Sequence, residues 1–347
     1  MIEWLQQLSP ARRKLALGEV SNQTGLPVKA IEKDWWVTLA LRAVFSTPWA
    51  ANIVFKGGTS LSKSWALIDR FSEDIDLALD RSVLGFGNIT TGTDIKRLRR
   101  ASADFIANTF TPVLQDTILK MGVDKEMFEL VVRPTDQPDI DPQVLELHYK
   151  SDLDAGNYIL DRVLIEIGSR SLREPCSPRQ ITSIIGSAMP TRPFAGIPFT
   201  VETVEPRRTF LEKIFLLHEM FQQPKEKWRH ERLSRHLYDL HQLKNTAHGQ
   251  SALTDADLYN SIVTHRKTIT PIRGVDYALH TPATIQFIPP QPVLTLWEAD
   301  YKVMRETMIY GNAPNFQALM EALGDLQKHI NTITFENNQH INQLPHN

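Results

Sequence analysis

The sequence predicts an α+β protein in which a mixed sheet of about six strands lies between a helical lead-in and a mostly helical C-terminal half. Residues 1–50 and the chain beyond residue 205 carry apolar side chains at helical spacing. Between them lie short apolar runs separated by Pro, Gly and Asp, which is typical of strands. The predicted strands are 53–55, 74–79, 128–132, 144–149, 162–167 and 179–185.

The length and composition set the size of the core. With 347 residues, 42% of them apolar, the chain can bury a large core and form two domains or one large one. We expect an N-terminal domain at 1–200, with a helical lead-in at 1–50 and the sheet at 51–185. A helical domain at 201–347 would complete a cleft.

Charge and cysteine content exclude several classes of protein. The net charge of −2 argues against a uniformly basic surface for nucleic acid, although it allows a local basic groove. The single cysteine, Cys176, excludes an internal disulfide framework and indicates a reducing cytosol. No signal-peptide pattern and no long apolar segment is visible, so we expect a cytoplasmic protein that does not enter a membrane.

Two helices are predicted before the first strand, at 10–20 and 27–45. Pro27 suits the first turn of the second helix. Ile31, Trp35, Thr38 and Leu39 share one face of that helix. We therefore expect the tryptophans to belong to the core.

A glycine turn follows the first predicted strand. The apolar run 53–55 ends at Lys56, Gly57 and Gly58, and Thr59 or Ser60 can then cap a helix. Free backbone N–H groups at the positive end of a helix form a site for phosphate. The stretch therefore predicts a phosphate-binding turn.

Two aspartates follow thirteen residues further along the chain, at the start of the next strand. Period-two alternation places Asp74 and Asp76 on one face and Ile75 and Leu77 on the other. Adjacent carboxylates repel each other unless a cation lies between them, and oxygen ligands suit Mg²⁺ or Mn²⁺. The alternative is that the two aspartates are solvated residues of an edge strand. The predicted phosphate site upstream favours metal binding over this alternative.

These residues carry a resemblance to a known family. The glycine turn followed by Asp-x-Asp resembles the signature of the polymerase-β-type nucleotidyltransferase superfamily. The strings 55–63 and 70–77 resemble the AbiEii/AbiGii toxin family within it, and similarity extends to Glu-Lys-Asp-aromatic at 32–35 and to blocks at 205–219 and 232–240.

The resemblance implies a polymerase-β-type core and an enzyme that transfers a nucleoside monophosphate from an NTP and releases pyrophosphate. It implies the toxin half of a bacterial toxin–antitoxin or phage-defence (abortive infection) system, with an antitoxin encoded beside it. The acceptor is expected to be RNA, with the tRNA 3′ end as the leading candidate. Mg²⁺ or Mn²⁺ would be the cofactor.

The resemblance also assigns roles to residues. Asp74 and Asp76 would bind metal, and a third carboxylate on a neighbouring strand is expected. Glu166 interrupts the apolar run 162–167, so it is either that ligand or the partner of an arginine. The residues expected to bind nucleotide are Lys56, Gly57, Gly58, Thr59, Ser60, Arg70 and Ser72.

Two further catalytic candidates lie in the helical half. Lys213 falls within the apolar arc of its helix, so it must snorkel or enter a polar site, and the resemblance implies contact with the triphosphate. Asp239 matches a family acid, although an i, i+4 pair with Arg235 would equally explain it. Many relatives carry an acid where this chain has His236.

A basic cluster follows the second predicted strand. The Gly-, Ser- and Thr-rich stretch 80–93 is expected to be a mobile loop beside the metal site, and a helix is expected at 94–121. The cluster is either a solvated helix face or a rim that binds RNA. Its members are Lys96, Arg97, Arg99 and Arg100.

Two other functions stay open from the sequence. One is an enzyme of the same fold that modifies a protein or a small molecule, which needs a closed pocket and no basic groove. The other is a non-catalytic NTP-binding module. The intact pair of Asp74 and Asp76 argues against the second, because an inactive copy need not keep both.

Overall fold

The computed structural model describes residues 1–89, 91–137, 139–154 and 159–335. None of the helices within these ranges combines the length and apolarity needed to cross a membrane. The helices are α1 (Glu3–Gln6), α2 (Pro10–Thr24), α3 (Val28–Val44), α4 (Gly57–Lys63), α5 (Gly92–Phe105), α6 (Thr111–Lys120), α7 (Ile184–Ala188), α8 (Pro206–Gln222), α9 (Ser234–Leu243), α10 (Ala247–Thr254), α11 (Ala256–Ile269), α12 (Leu294–Thr307) and α13 (Phe316–Asn331).

The strands form one mixed sheet, and the predicted α+β class is confirmed. Their order is β3-β4-β5-β2-β1-β7-β6. β2 pairs in parallel with β5, as β1 does with β7, and the remaining pairs are antiparallel. The strands are β1 (Ile53–Lys56), β2 (Asp74–Leu79), β3 (Phe128–Val132), β4 (Gln143–Tyr149), β5 (Arg162–Gly168), β6 (Cys176–Ile181) and β7 (Phe199–Val204).

One face of the sheet packs on the lead-in helices and forms the first core. Ile75 and Leu77 of β2 and Ile165 of β5 join this core. Trp35 and Trp36 of α3 are buried in it, so their predicted core role is confirmed. The opposite face carries the other alternate residues of β2 and β5, and it is this face that bears the carboxylates.

A second core fills the helical half and reaches back to the glycine turn. It contains residues of α8 to α13, among them Phe210, Leu237 and Trp297. Leu61 of α4 and Ile68 also belong to it. The short helix after the glycine turn is therefore held by the helical half, which fixes the turn between the two parts of the chain.

The strand predicted at 179–185 needs correction. The predicted strand 179–185 is β6 (Cys176–Ile181) followed by α7 (Ile184–Ala188). Ser183 ends the strand because its side chain accepts a hydrogen bond from the N–H of Gly186 and caps α7.

The sheet has a seventh strand that was not predicted. β7 pairs with β6 along its length and with β1 at Phe55 and Thr203. The predicted domain boundary at residue 200 falls inside β7, so the sheet extends to Val204. The division into two domains stays a prediction.

The helix predicted at 94–121 is interrupted. It consists of α5, one π-helical turn at Ile106–Phe110, and α6. Pro112 lies in the first turn of α6 and has no N–H to donate to the preceding turn, which favours the wider turn there.

Candidate active site

Three carboxylates share the open face of the sheet. Asp74 and Asp76 alternate with the buried Ile75 on β2 and point away from the first core. Glu166 lies on β5, where its Cα is paired with that of Asp76 in parallel register. The structure therefore places on one face of the sheet the three residues that the sequence predicts as metal ligands.

Burial and mutual repulsion raise the pKa of two of these groups. Burial raises the pKa of Asp74, and the charges of Glu73 and Asp76 raise it further. Burial, with Asp76 and Asp74, raises the pKa of Glu166 to about 7, although Lys56 opposes the shift. Arg235 and Lys56 compensate the charges of these carboxylates only in part, and a bound cation would supply further positive charge.

The chemistry of this group fits a hard divalent cation, because carboxylate oxygens are preferred ligands of Mg²⁺ and Mn²⁺. The arrangement is open, since nowhere in the described part of the chain do three His, Cys, Asp or Glu side chains converge closely enough to hold a metal ion. Arg235 lies beside them, with Nη1 3.7 Å from Asp74 Oδ2. A metal at Asp74, Asp76 and Glu166 therefore stays a prediction.

The glycine turn brings β1 directly against the carboxylates. Gly57 has a φ of +79°, and a Cβ there would lie 1.9 Å from Asp76 Oδ2. A Cβ on Gly58 would lie 2.5 Å from a terminal nitrogen of Arg70. Both positions require glycine because the backbone passes so close to these side chains.

The hydroxyl groups of the motif support the turn from the inside. Helix α4 begins at Gly57, with Lys56 at the N-cap position and no side chain capping it, so the prediction that Thr59 or Ser60 caps the helix is wrong. The positive φ of Gly57 lets the helix begin before either residue. Thr59 Oγ1 donates to the carbonyl of Asp74 (2.5 Å), and Ser60 Oγ donates to that of Gly57 (2.9 Å).

The nucleotide-binding roles of Thr59, Ser60 and Ser72 stay predictions. Thr59 and Ser60 are fully buried, and Thr59 Oγ1 lies 2.8 Å from Ser72 Oγ. We expect phosphate to meet the backbone N–H groups of the turn, because these two hydroxyls point into the protein.

A buried ion triad lies behind the turn. Arg70 donates to both oxygens of Asp239, at 2.7 and 2.8 Å, and Lys213 Nζ lies 2.9 Å from Asp239 Oδ2. Burial alone would raise the pKa of Asp239, but Arg70 and Lys213 hold it well below its usual range. The i, i+4 pair with Arg235 is not the explanation for Asp239, since Arg235 lies near Asp74 instead.

The triad gives Arg70 a structural role. Its side chain is only 2% exposed, and its Nη1 also donates to the carbonyl of Phe71. Arg70 therefore holds Asp239 and supports the turn at Gly58. Its predicted contact with nucleotide stays a prediction.

A cavity of about 220 Å³ lies between the glycine turn and the helical half. Lys213 faces this cavity and does not reach bulk solvent. Of the two predictions for this lysine, the structure agrees with entry into a polar site and not with snorkelling to the surface. Its Nζ lies 3.3 Å from Nδ1 of His236, whose pKa burial and Lys213 hold well below the usual value. Residues that line this cavity include Lys56, Gly57, Thr209, Glu212, Lys213 and His236.

Lead-in helix α3 is tied to the motif by ion pairs. Lys33 Nζ lies 2.7 Å from Glu73, the residue before the first aspartate. Asp34 pairs with Lys63 of α4 at 2.5 Å and accepts a hydrogen bond from the N–H of Ile184 (2.7 Å). These contacts therefore hold α3 against the segment that carries the glycine turn and the two aspartates.

The basic cluster lies on α5. Lys96, Arg97 and Arg100 are exposed, whereas Arg99 donates to the carbonyl of Asp139 (2.7 Å). The sequence predicts that the stretch 80–93 lies beside the metal site. In the structure this stretch follows the C-terminal end of β2, whereas Asp74 lies at the N-terminal end of the strand. Residue 90 of the stretch is outside the described ranges. The buried Leu98 joins Ile269 of α11 in a small apolar cluster, and α11 also lines the cavity.

Sequence reasoning missed several polar residues of the site. Thr209, Glu212 and Arg266 line the cavity, and Arg235 approaches Asp74. Thr209 lies one helical turn before Lys213, and Glu212 lies one residue before it. Helical spacing from Lys213 could therefore have predicted that Thr209 faces the same side. For Arg266 and Arg235 the sequence holds no signal of this kind.

MenT4, a nucleotidyltransferase toxin from Mycobacterium tuberculosis, matches over 92% of this chain and 96% of its own, with 16% identity and a TM-score of 0.43. No curated protein sequence is significantly similar to the chain.

The family model described as "Nucleotidyl transferase AbiEii toxin, Type IV TA system" matches residues 39–322. The matched region contains the carboxylates, the glycine turn, Lys213 and Asp239, and it spans most of the chain. The resemblance inferred from the motifs is confirmed. The chain belongs to the AbiEii family, as a nucleotidyltransferase toxin of a type IV toxin–antitoxin system.

Proposed function

We propose that the protein is a metal-dependent enzyme that transfers a nucleoside monophosphate from an NTP to an RNA acceptor, with the tRNA 3′ end as the first candidate. The observation that carries this proposal is the position of Asp74, Asp76 and Glu166. Asp76 lies against Gly57, and Glu166 is paired with Asp76 on the neighbouring strand. Gly57 also lines a cavity whose wall includes Lys56 and Lys213.

Different side chains would bind the metal and neutralise the phosphates. Mg²⁺ or Mn²⁺ held by Asp74, Asp76 and Glu166 would supply Lewis-acid stabilisation of the phosphates. Lys56 and Lys213 would neutralise the triphosphate, while Asp239 holds the Lys213 ammonium in place. The acceptor hydroxyl would give its proton to water and its oxygen would bond to the α-phosphorus, while the bond from that phosphorus to the bridging oxygen breaks and pyrophosphate leaves.

The test incubates the protein with each of the four labelled NTPs, Mg²⁺ and total cellular RNA, with an Asp76→Asn variant as the control. We expect label in RNA in the tRNA size range with the parent protein alone. Label in protein instead would support an enzyme of the same fold with a protein acceptor. No transfer to any macromolecule would contradict the proposal.

Replacing Lys213 by Met should weaken NTP binding. Met keeps the length and apolar stem of the side chain but removes the charge, so we expect a loss of about 2–3 kcal/mol, typical of a charge-assisted contact. Titration calorimetry with NTP and Mg²⁺ measures it. Lys328→Met on the exposed face of α13 is the control, and unchanged affinity in Lys213→Met would refute the contact.

The RNA acceptor predicts a salt dependence that a small acceptor would not give. Binding of tRNA should weaken steeply with salt, because phosphate contacts release counterions. Replacing the exposed Arg97 and Arg100 by Gln should lower the salt slope by about two, with NTP binding unchanged. Filter binding at several salt concentrations measures it.

The matched control replaces two exposed cations on other elements, Lys125 and Lys328, by Gln. This pair should leave the slope as it is. An identical slope in the Arg97 and Arg100 variant would show that the α5 cluster is a solvated face. The RNA proposal would then have to rest on another surface.

The biological setting follows from the family. We infer a cognate antitoxin encoded beside the gene, since the family is one half of a two-protein system. We infer a cytoplasmic location because NTPs and RNA are cytoplasmic, and a role in phage defence because the family resemblance implies it. Growth arrest on expression, relieved by the neighbouring gene, tests the first inference.

A further inference from the structure

Thr209 contributes an unpartnered hydroxyl to the wall of the cavity. The residue is only 4% exposed, and its Oγ1 is buried with no hydrogen-bond partner among the described residues. It lines the same cavity as Lys213. A buried hydroxyl without a partner costs free energy, so its presence is explained if a ligand supplies the partner.

Glu212 contributes a second acceptor. Nε and Nη2 of Arg208 both contact the same oxygen, Oε1, at 2.9 Å each, while its Nη1 donates to the carbonyl of Glu174. Within the described part of the chain Oε2 has no partner. Burial opposes ionisation, but Arg208, Lys56 and Arg266 hold the pKa of Glu212 at about 2. The group therefore accepts hydrogen bonds and cannot donate them.

Both groups lie on the same helix and line the same cavity as Lys213. Thr209 and Lys213 are four residues apart on α8, so both face the cavity about 6 Å apart along the helix axis. If Lys213 binds the phosphates, the next part of the nucleotide along α8 is the ribose. Ribose hydroxyls are donors that suit a carboxylate oxygen and an unpaired threonine hydroxyl.

We propose that Thr209 and Glu212 bind the ribose hydroxyls of the NTP and make the enzyme select ribonucleotides over 2′-deoxyribonucleotides. The proposal rests on the proposed function, because it places the nucleotide in this cavity. A 2′-deoxyribonucleotide would leave the partly exposed Glu212 carboxylate without this partner, and a site built around a hydroxyl rejects an analogue that lacks it.

The test measures the affinity and the transfer rate of the parent protein for the four NTPs and for their 2′-deoxy and 3′-deoxy forms. We expect the 2′-deoxy forms to bind at least about 10-fold more weakly, whatever the base. The 3′-deoxy series shows whether the second hydroxyl is read as well.

Thr209→Val and Glu212→Gln should reduce this ratio by weakening ribonucleotide binding, with deoxyribonucleotide binding little changed. Thr209→Val should also unfold at the same or a higher denaturant concentration than the parent, since its hydroxyl has no protein partner to lose. Thr264→Val on the exposed face of α11 is the matched control and should change neither quantity.

The outcomes separate the two proposals. Equal binding of ribo- and deoxyribonucleotides overturns the ribose proposal and leaves the nucleotidyltransferase function standing. A change of base preference in the variants, with the sugar preference kept, also overturns it and assigns these groups to the base. If no nucleotide binds the parent protein, the proposed function fails and the ribose proposal fails with it.

Discussion

Asp76→Asn is expected to abolish nucleotide transfer, lowering the rate by about 10³-fold or more, and to leave the fold intact. The substitution keeps the shape of the side chain beside Gly57 but removes one of the paired negative charges that would bind the metal. Asp74→Asn should behave in the same way. Measurement of label transfer from NTP, with circular dichroism to verify folding, decides the matter.

Asp76→Asn is also expected to change how the stability of the protein depends on pH. A carboxyl group whose pKa is raised on folding destabilises the protein when it ionises, and the loss grows between its unfolded and folded pKa values. For Glu166 this interval runs from about 4.3 to about 7. The metal-free parent should therefore lose stability across this interval as pH rises.

Removing the charge of Asp76 should lower the pKa of Glu166 and reduce that loss. At about pH 8 the free energy of unfolding of the variant should rise relative to that of the parent by roughly 1.4 kcal/mol for each unit by which the pKa of Glu166 falls. Urea unfolding in EDTA at about pH 4 and about pH 8 measures the gain, and Mg²⁺ should reverse it by stabilising the parent more.

Asp80→Asn is the matched control, because Asp80 directly follows the same strand but pairs with Arg173 away from the carboxylates. It should keep transfer activity and show no gain with pH. Full activity of Asp76→Asn at matched concentration would contradict the metal-site assignment. A stability gain without a loss of activity would show that the carboxylates repel each other but do not act in catalysis.

The local part of the site could be predicted because it depends on periodicity. The alternation at Asp74, Ile75 and Asp76 fixes which face of β2 carries the carboxylates, wherever the strand lies in the sheet. Glu166 was found by the same kind of reasoning, as a charge in an apolar run. Its pairing opposite Asp76 could not be predicted, because register between strands depends on the whole sheet.

The ion triad marks where sequence reasoning fails. Arg70 and Asp239 are separated by 169 residues, so nothing local connects them, and the visible partner for Asp239 was the wrong one, Arg235. The same limit explains β7: its alternation is visible in Phe-Thr-Val-Glu-Thr-Val, but its pairing with β1 spans the whole sheet-forming half of the chain. Non-local pairing, which packing of the complete chain decides, accounts for both misses.

Asp239→Ala is expected to have the largest effect on stability, a loss of about 3–5 kcal/mol. Asp239 is fully buried between Arg70 and Lys213, and its removal leaves two cations buried without an anion. The loss should be full above about pH 4, the pKa of an unfolded aspartate, and shrink as pH falls below it. Urea unfolding at several pH values measures it.

The exposed pair of Asp325 and Lys328 supplies the control, since Asp325→Ala should cost less than about 0.5 kcal/mol. Combining Asp239→Leu with Arg70→Met should recover part of the stability, because it replaces two of the three buried charges by apolar side chains and leaves only Lys213 unpaired. It should not recover NTP binding, since Lys213 would no longer be held toward the cavity. A loss below about 1 kcal/mol in Asp239→Ala would mean that water or another acid reaches the two cations, and the triad could then not be what positions Lys213.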